Sequence, residues 1–99
     1  MIISGGENIY SVQVEEAIAK NEAVLEVAVI GIPDDEWGES VKAFVVTKPG
    51  HDLSSEDIME TAKNNLASYQ KPKFVEFVKE LPKAPTGKIL KRNLRADSD

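Results

Sequence analysis

The stretch Lys83–Arg95, "KAPTGKILKRNLR", carries five positive charges (Lys83, Lys88, Lys91, Arg92 and Arg95) and no acid. Within it stands Pro85-Thr86-Gly87-Lys88. Glycine lets a backbone come close to a ligand, and lysine is a compact charge on a long stem. Together they can set an ammonium against a phosphate or a carboxylate. The motif is not a Walker A loop, since the leading glycine is absent and no Ser or Thr follows Lys88. On its own it reads equally well as a Pro-Gly turn leading into a helix.

Three other places hold residue types that could do chemistry. Gly5-Gly6, followed by Glu7-Asn8, is either a simple hairpin or bulge, or a flat backbone surface along which an extended ligand can pass. Trp37, in the polar run "DDEWGES", either plugs the edge of a core or offers a wall to a ligand. Tyr69, Lys71 and Lys73 in "YQKPK" could stack a nucleotide on a ring and meet its phosphates with ammonium groups. The plainer reading of the last is a solvated lysine pair beside a helix end. His51, the single histidine, sits in the loop "KPGHDL" and reads as solvated.

Charge is unevenly spread. Residues 1–70 hold four basic and thirteen acidic side chains, whereas residues 71–95 hold eight basic and two acidic. A local positive field on an acidic body suits a small anionic ligand better than a nucleic acid, which the acidic remainder would repel. The competing reading is a solvated C-terminal helix with cations near the negative end of its dipole. No cysteine is present, which excludes disulfides and thiolate zinc sites and fits a cytoplasmic protein. No metal site is expected on this chain. No apolar run approaches the roughly 20 residues of a membrane helix. The 99 residues suffice for one domain with a modest core.

The elements that must position these groups can be placed. An apolar run breaks at Gly5-Gly6. Ser11 is suited to cap a helix reaching about Lys20, with Val14, Ala17 and Ile18 on one face. Residues 24–32 and 41–47 are rich in β-branched residues and read as strands, with Pro49-Gly50 turning the chain after the second. Ser54 caps the next helix, Leu53 can staple onto Ile58, and Ala62 and Leu66 continue the stripe. Lys71-Pro72 stops that helix, residues 74–78 form a short strand, and Lys88 opens a final helix with Ile89, Leu90 and Leu94 inward. The expectation is an α+β fold, a small, mainly antiparallel sheet with about three helices packed on it.

In their order and spacing, "MIISGGENIYSVQVEEAI", "VIGIPDDEWGESVKAFVV" and "LASYQKPKFVEFVKELPKAPTGKILKRNLR" resemble the C-terminal domain of adenylate-forming acyl-CoA synthetases, the superfamily that includes luciferases and peptide-synthetase adenylation domains. The resemblance runs from Met1 to about Arg95. It implies a mobile lid on a large N-terminal domain of the same polypeptide, with residues 1–99 starting just after the hinge and Met1 an internal methionine.

The resemblance also assigns roles. Lys88 matches the family's catalytic lysine, which bridges carboxylate and α-phosphate as acyl-adenylate forms, with Thr86 and Gly87 as supporting motif. Gly5 and Gly6 match the loop lining the pantetheine tunnel, supported by Glu7 and Asn8. Trp37 matches a tunnel-wall aromatic. Tyr69, Lys71 and Lys73 match positions near the nucleotide end of coenzyme A in some members. ATP, magnesium and coenzyme A are the implied cofactors, and a carboxylic acid, fatty or aryl, the substrate. Acylation of Lys88 is an implied means of regulation.

This chain departs from the usual pattern at Ser11, where proline is common, and at Ala84, where a polar residue is common. A stand-alone coenzyme A or carrier-protein binding module is the alternative reading, and it would need no lysine at position 88.

Overall fold

The computed structural model describes residues 1–98. Its order is β1 (Ile2–Ser4), β2 (Glu7–Ile9), α1 (Ser11–Ala19), β3 (Val24–Asp34), β4 (Gly38–Thr47), α2 (Ser55–Asn65), a 3-10 turn (Ser68–Gln70), β5 (Phe74–Phe77) and α3 (Lys91–Ser98). The fold is the expected α+β arrangement, a small sheet carrying three helices.

The long β3–β4 hairpin is the frame. Its antiparallel register pairs Val27 with Val45, Ala28 with Phe44 and Val29 with Ala43. Successive strand side chains point to opposite faces, so one hairpin feeds two cores. Val29, Ala43 and Val45 join Ile9, Val14, Ile18, Ile58 and Ala62, which brings α1 and α2 onto one face. Ala28, Ile30, Phe44 and Val46 join Leu81 and Leu94, which brings α3 onto the other. Phe44 is only 2% exposed. Truncating it to Ala would cost about 3–5 kcal/mol in lost burial and cavity.

β4 also pairs with β1 through Ser4 and Gly38, and with β5 from Lys42 to Val45. The β5 pairing is parallel, the one exception to an otherwise antiparallel sheet among the described residues. The chain reaches β5 by way of α2, a crossover long enough to return it in the same direction as β4. Among the described residues no strand lies on the far side of β3, which forms an edge of the sheet.

Two helix starts differ from the sequence expectation. α1 has Tyr10 at its N-cap, in extended conformation and without a side-chain cap bond, and Ser11 is the first helical residue. α3 begins at Lys91, not Lys88. The intervening residues form a narrow hairpin instead: Lys83 bridges Ile89, the Ala84 N–H donates to the Lys88 carbonyl at 2.8 Å, and the Gly87 N–H donates to the Ala84 carbonyl at 2.8 Å. Gly87 adopts φ +89°, a conformation that would end any helix passing through it.

The start of α2 follows expectation. The Ser54 hydroxyl accepts from the Asp57 N–H at 3.1 Å while the Asp57 carboxylate accepts from the Ser54 N–H at 2.9 Å, a complete capping box.

Candidate functional site

The Gly5-Gly6 pair is the turn of the β1–β2 hairpin, with Ser4 opposite Glu7 and Ile3 opposite Asn8. Both glycines take positive φ, +58° and +82°. That is the left-handed geometry a two-residue hairpin turn demands. Glu7 and Asn8 lie exposed on β2.

This turn packs against the tip of the β3–β4 hairpin. The Gly5 N–H donates to the Trp37 carbonyl at 2.9 Å. A Cβ on Gly5 would lie 2.8 Å from Cε3 of the Trp37 ring, so the indole rests directly on the glycine backbone. Nothing approaches the corresponding position on Gly6 within 4 Å, which leaves that side of the turn open. Trp37 itself is 48% exposed. One side of the ring closes the hairpin junction and the rest faces solvent.

Asp34 holds the Trp37 loop, a role not read in the sequence. Its Oδ1 accepts from the Glu36 and Trp37 N–H groups, both at 2.9 Å, and its Oδ2 accepts from the Ser40 hydroxyl and from Lys73 Nζ at 3.1 Å. The Ser40 bond, the Trp37 N–H, the Lys73 ammonium and the Glu36 N–H hold the Asp34 carboxyl well below the usual carboxylate range. The local signal was present as an Asp two and three residues ahead of the N–H groups it binds, the pattern of an Asx turn.

Of Tyr69, Lys71 and Lys73, only Lys73 joins this assembly, through Asp34. It also lies 5.7 Å from the centre of the Phe74 ring. Tyr69 is exposed in the 3-10 turn. Lys71 is half-buried and lines a separate shallow groove with Met59, Glu60, Lys63, Asn64 and Pro72.

Lys88 is exposed on the 83–89 hairpin, at the side of an open groove that also includes Gly87, Ile89, Leu90, Lys91 and Arg92. Thr86 is exposed in the turn. A Cβ on Gly87 would meet nothing within 4 Å, so its contribution is conformational. Ala84 takes part in the hairpin through its backbone N–H and carbonyl.

Among the described residues no three His, Cys, Asp or Glu side chains gather where they could hold a metal ion, and no helix is long and apolar enough to cross a membrane.

These groups do not enclose a reaction chamber. A half-exposed indole rests on the glycine turn, and an exposed lysine stands on a separate hairpin. Residues 13–88 match the model of the AMP-binding enzyme C-terminal domain, and the chain belongs to that family.

It is 51% identical over 94 residues to a long-chain-fatty-acid–CoA ligase of Bacillus subtilis, a match covering 95% of this chain and 17% of the relative. It is 45% identical over 95 residues to a peroxisomal trans-cinnamate:CoA ligase of Petunia hybrida, covering 96% of this chain and 17% of that protein. A solved Mycobacterium tuberculosis fatty acyl CoA synthetase superposes with a TM-score of 0.92 at 47% identity, over 98% of this chain and 19% of that one. The chain therefore spans under a fifth of the length of each of these proteins.

Proposed function

We propose that this chain is the mobile lid of an ATP-dependent, AMP-forming acyl-CoA ligase, working with a larger N-terminal domain of the same polypeptide. In the first step a carboxylate oxygen attacks the α-phosphorus of ATP, pyrophosphate leaves, and acyl-adenylate forms. Two anions must approach, and charge grows on the phosphate oxygens. The Lys88 ammonium offsets that charge and orients both partners. In the second step the thiol of coenzyme A attacks the acyl carbonyl and AMP departs. Gly5, Gly6 and Trp37 line the path of the pantetheine arm, with Glu7 and Asn8 supporting the turn.

The observation that carries this reading is the Gly5–Trp37 junction: a glycine turn open on one side, with an indole wall fixed beside it. A narrow, flat-walled surface suits a thin extended arm. Lys71 and Lys73 are the counter-charges for the phosphates of coenzyme A. Lys73 reaches them only by leaving or sharing Asp34, so its contribution is the smaller of the two. Tyr69, exposed in the 3-10 turn two residues before Lys71, is the candidate for the adenine.

Among the described residues no three His, Cys, Asp or Glu side chains gather to hold magnesium, so the N-terminal domain would hold it together with the ATP phosphates. A fatty acid of medium or long chain is the favoured substrate, given the Bacillus and Mycobacterium relatives. A cytoplasmic setting accords with a chain that lacks cysteine.

The test is Lys88→Ala in the intact polypeptide, assayed for each half-reaction. Acyl-adenylate formation is expected to fall by a factor of about 10² to 10³, the usual effect of removing one preorganised charge. Thioester formation from supplied acyl-adenylate should hardly change. Equal loss in both steps, or in neither, would refute the assignment.

A further inference from the structure

Two of the five cations in the 83–95 segment are ion-paired with the body of the domain. On the entering limb of the Lys88 hairpin, Lys83 Nζ lies 2.6 Å from Oε2 of Glu26 on β3. On the leaving limb, Lys91 Nζ lies 2.9 Å from Oε2 of Glu15 on α1 and 3.2 Å from the Ser11 hydroxyl.

The Glu15 oxygen has a second duty. It accepts the Val29 N–H at 2.8 Å, a donor on the open edge of β3. One carboxylate oxygen therefore joins α1 on one face of the sheet, the edge of β3, and the first residue of α3 on the other face. Both lysines and both carboxylates are partly shielded from water, with side-chain exposures between 20% and 40%.

We propose that Lys83–Glu26 and Lys91–Glu15, with Ser11, are positioning residues that brace the two feet of the hairpin and so fix where Lys88 stands during acyl-adenylate formation. This rests on the role proposed for Lys88. The hairpin needs such bracing. Among the described residues its own backbone ladder is a single bridge, Lys83 with Ile89, and its tip is exposed. A reacting charge displaced by about 1 Å can lose a factor of about 10² in rate. Ser11 thereby acquires a part that its position at the start of α1 did not suggest: where a proline side chain would offer no polar atom, its hydroxyl gives Lys91 a second partner.

The experiment uses the intact polypeptide, with the most active of dodecanoate, hexadecanoate and benzoate as the acid. Glu15→Gln keeps an acceptor for the Val29 N–H but discharges the brace, and Glu26→Gln does the same at the other foot. Each should lower kcat for acyl-adenylate formation about tenfold, as a misplaced rather than missing charge would. KM for ATP, thermal midpoint and the rate of thioester formation from supplied acyl-adenylate should stay near wild type. Lys91→Arg, which can still bridge Glu15 and Ser11, should retain most of the activity that Lys91→Met loses.

Unchanged adenylation in Glu15→Gln and Glu26→Gln, or parallel loss in both half-reactions, would overturn the bracing role while leaving Lys88 in place. A Lys88→Ala control that adenylates normally would instead overturn the reading of Lys88 and the brace with it.

Discussion

Gly5 and Trp37, thirty-two residues apart in the chain, are joined by a 2.9 Å hydrogen bond, and the Trp37 ring occupies the space a Gly5 side chain would need. The glycine is required twice, for its φ of +58° and for the contact with the ring. Gly5→Ala should destabilise the 99-residue chain by at least the roughly 1–2 kcal/mol of a left-handed non-glycine residue. The added ring clash should show as coupling. The double variant Gly5→Ala/Trp37→Ala is expected to lose less than the sum of the two single changes, measured by urea unfolding.

Trp37→Ala separates the two half-reactions. About half of the indole faces solvent and the rest lies on the Gly5 turn, so stability should fall by about 1–3 kcal/mol while folding is retained. Thioester formation by the intact polypeptide should slow, with a raised KM for coenzyme A and unaltered acyl-adenylate formation. A stopped-flow comparison of the two half-reactions would check this.

Acid stability should report on Asp34. Its carboxyl is depressed in the folded state, mainly by the Ser40 hydroxyl and then by the Trp37 N–H and Lys73. A depressed acid contributes stability above its unfolded pKa, about 3.9, and loses that contribution as pH falls through the folded value. Wild type and Asp34→Asn should therefore differ by a constant amount from neutrality to somewhat above pH 4, and converge on further acidification. Urea midpoints across that range give the readout. A difference that persists at the acid end would contradict the ionised-state account.

Ser54→Ala removes one half of the capping box at α2 and leaves the Asp57 N–H without its partner. A loss of about 1 kcal/mol is expected, with no change in either half-reaction. Ser54→Asp should recover most of it, since Asp caps nearly as well.

Much of this domain can be read from residues close together in the chain. The stripe Val14, Ala17 and Ile18 marked α1, the Ser54 and Asp57 box marked α2, and β-branched runs marked β3 and β4. Those signals act through local hydrogen bonds and through burial of one face, which any small core would reward. The motif residues were equally legible by type: a glycine pair, an isolated tryptophan, a lysine behind a glycine. Less legible were element ends. Ser11 had the chemistry of a cap but stands one residue inside the helix, because Tyr10 takes the extended conformation at that turn. Lys88 had the spacing of a helix start but belongs to a hairpin, because Gly87 turns left-handed.

What the amino-acid sequence determined alone was most of the helices and the longer strands, and the residue types available for chemistry. Tertiary structure decided which charges meet. Asp34 and Lys73 are 39 residues apart, and Ser11 and Lys91 are 80 apart. No local preference encodes such pairs. They follow from strand order and register, from the parallel return of β5 beside β4, and from α3 packing across the sheet from α1. The same positive segment could have stood free in solvent. Its arrangement against Glu15 and Glu26 exists only once the cores on both faces of β3 and β4 have closed.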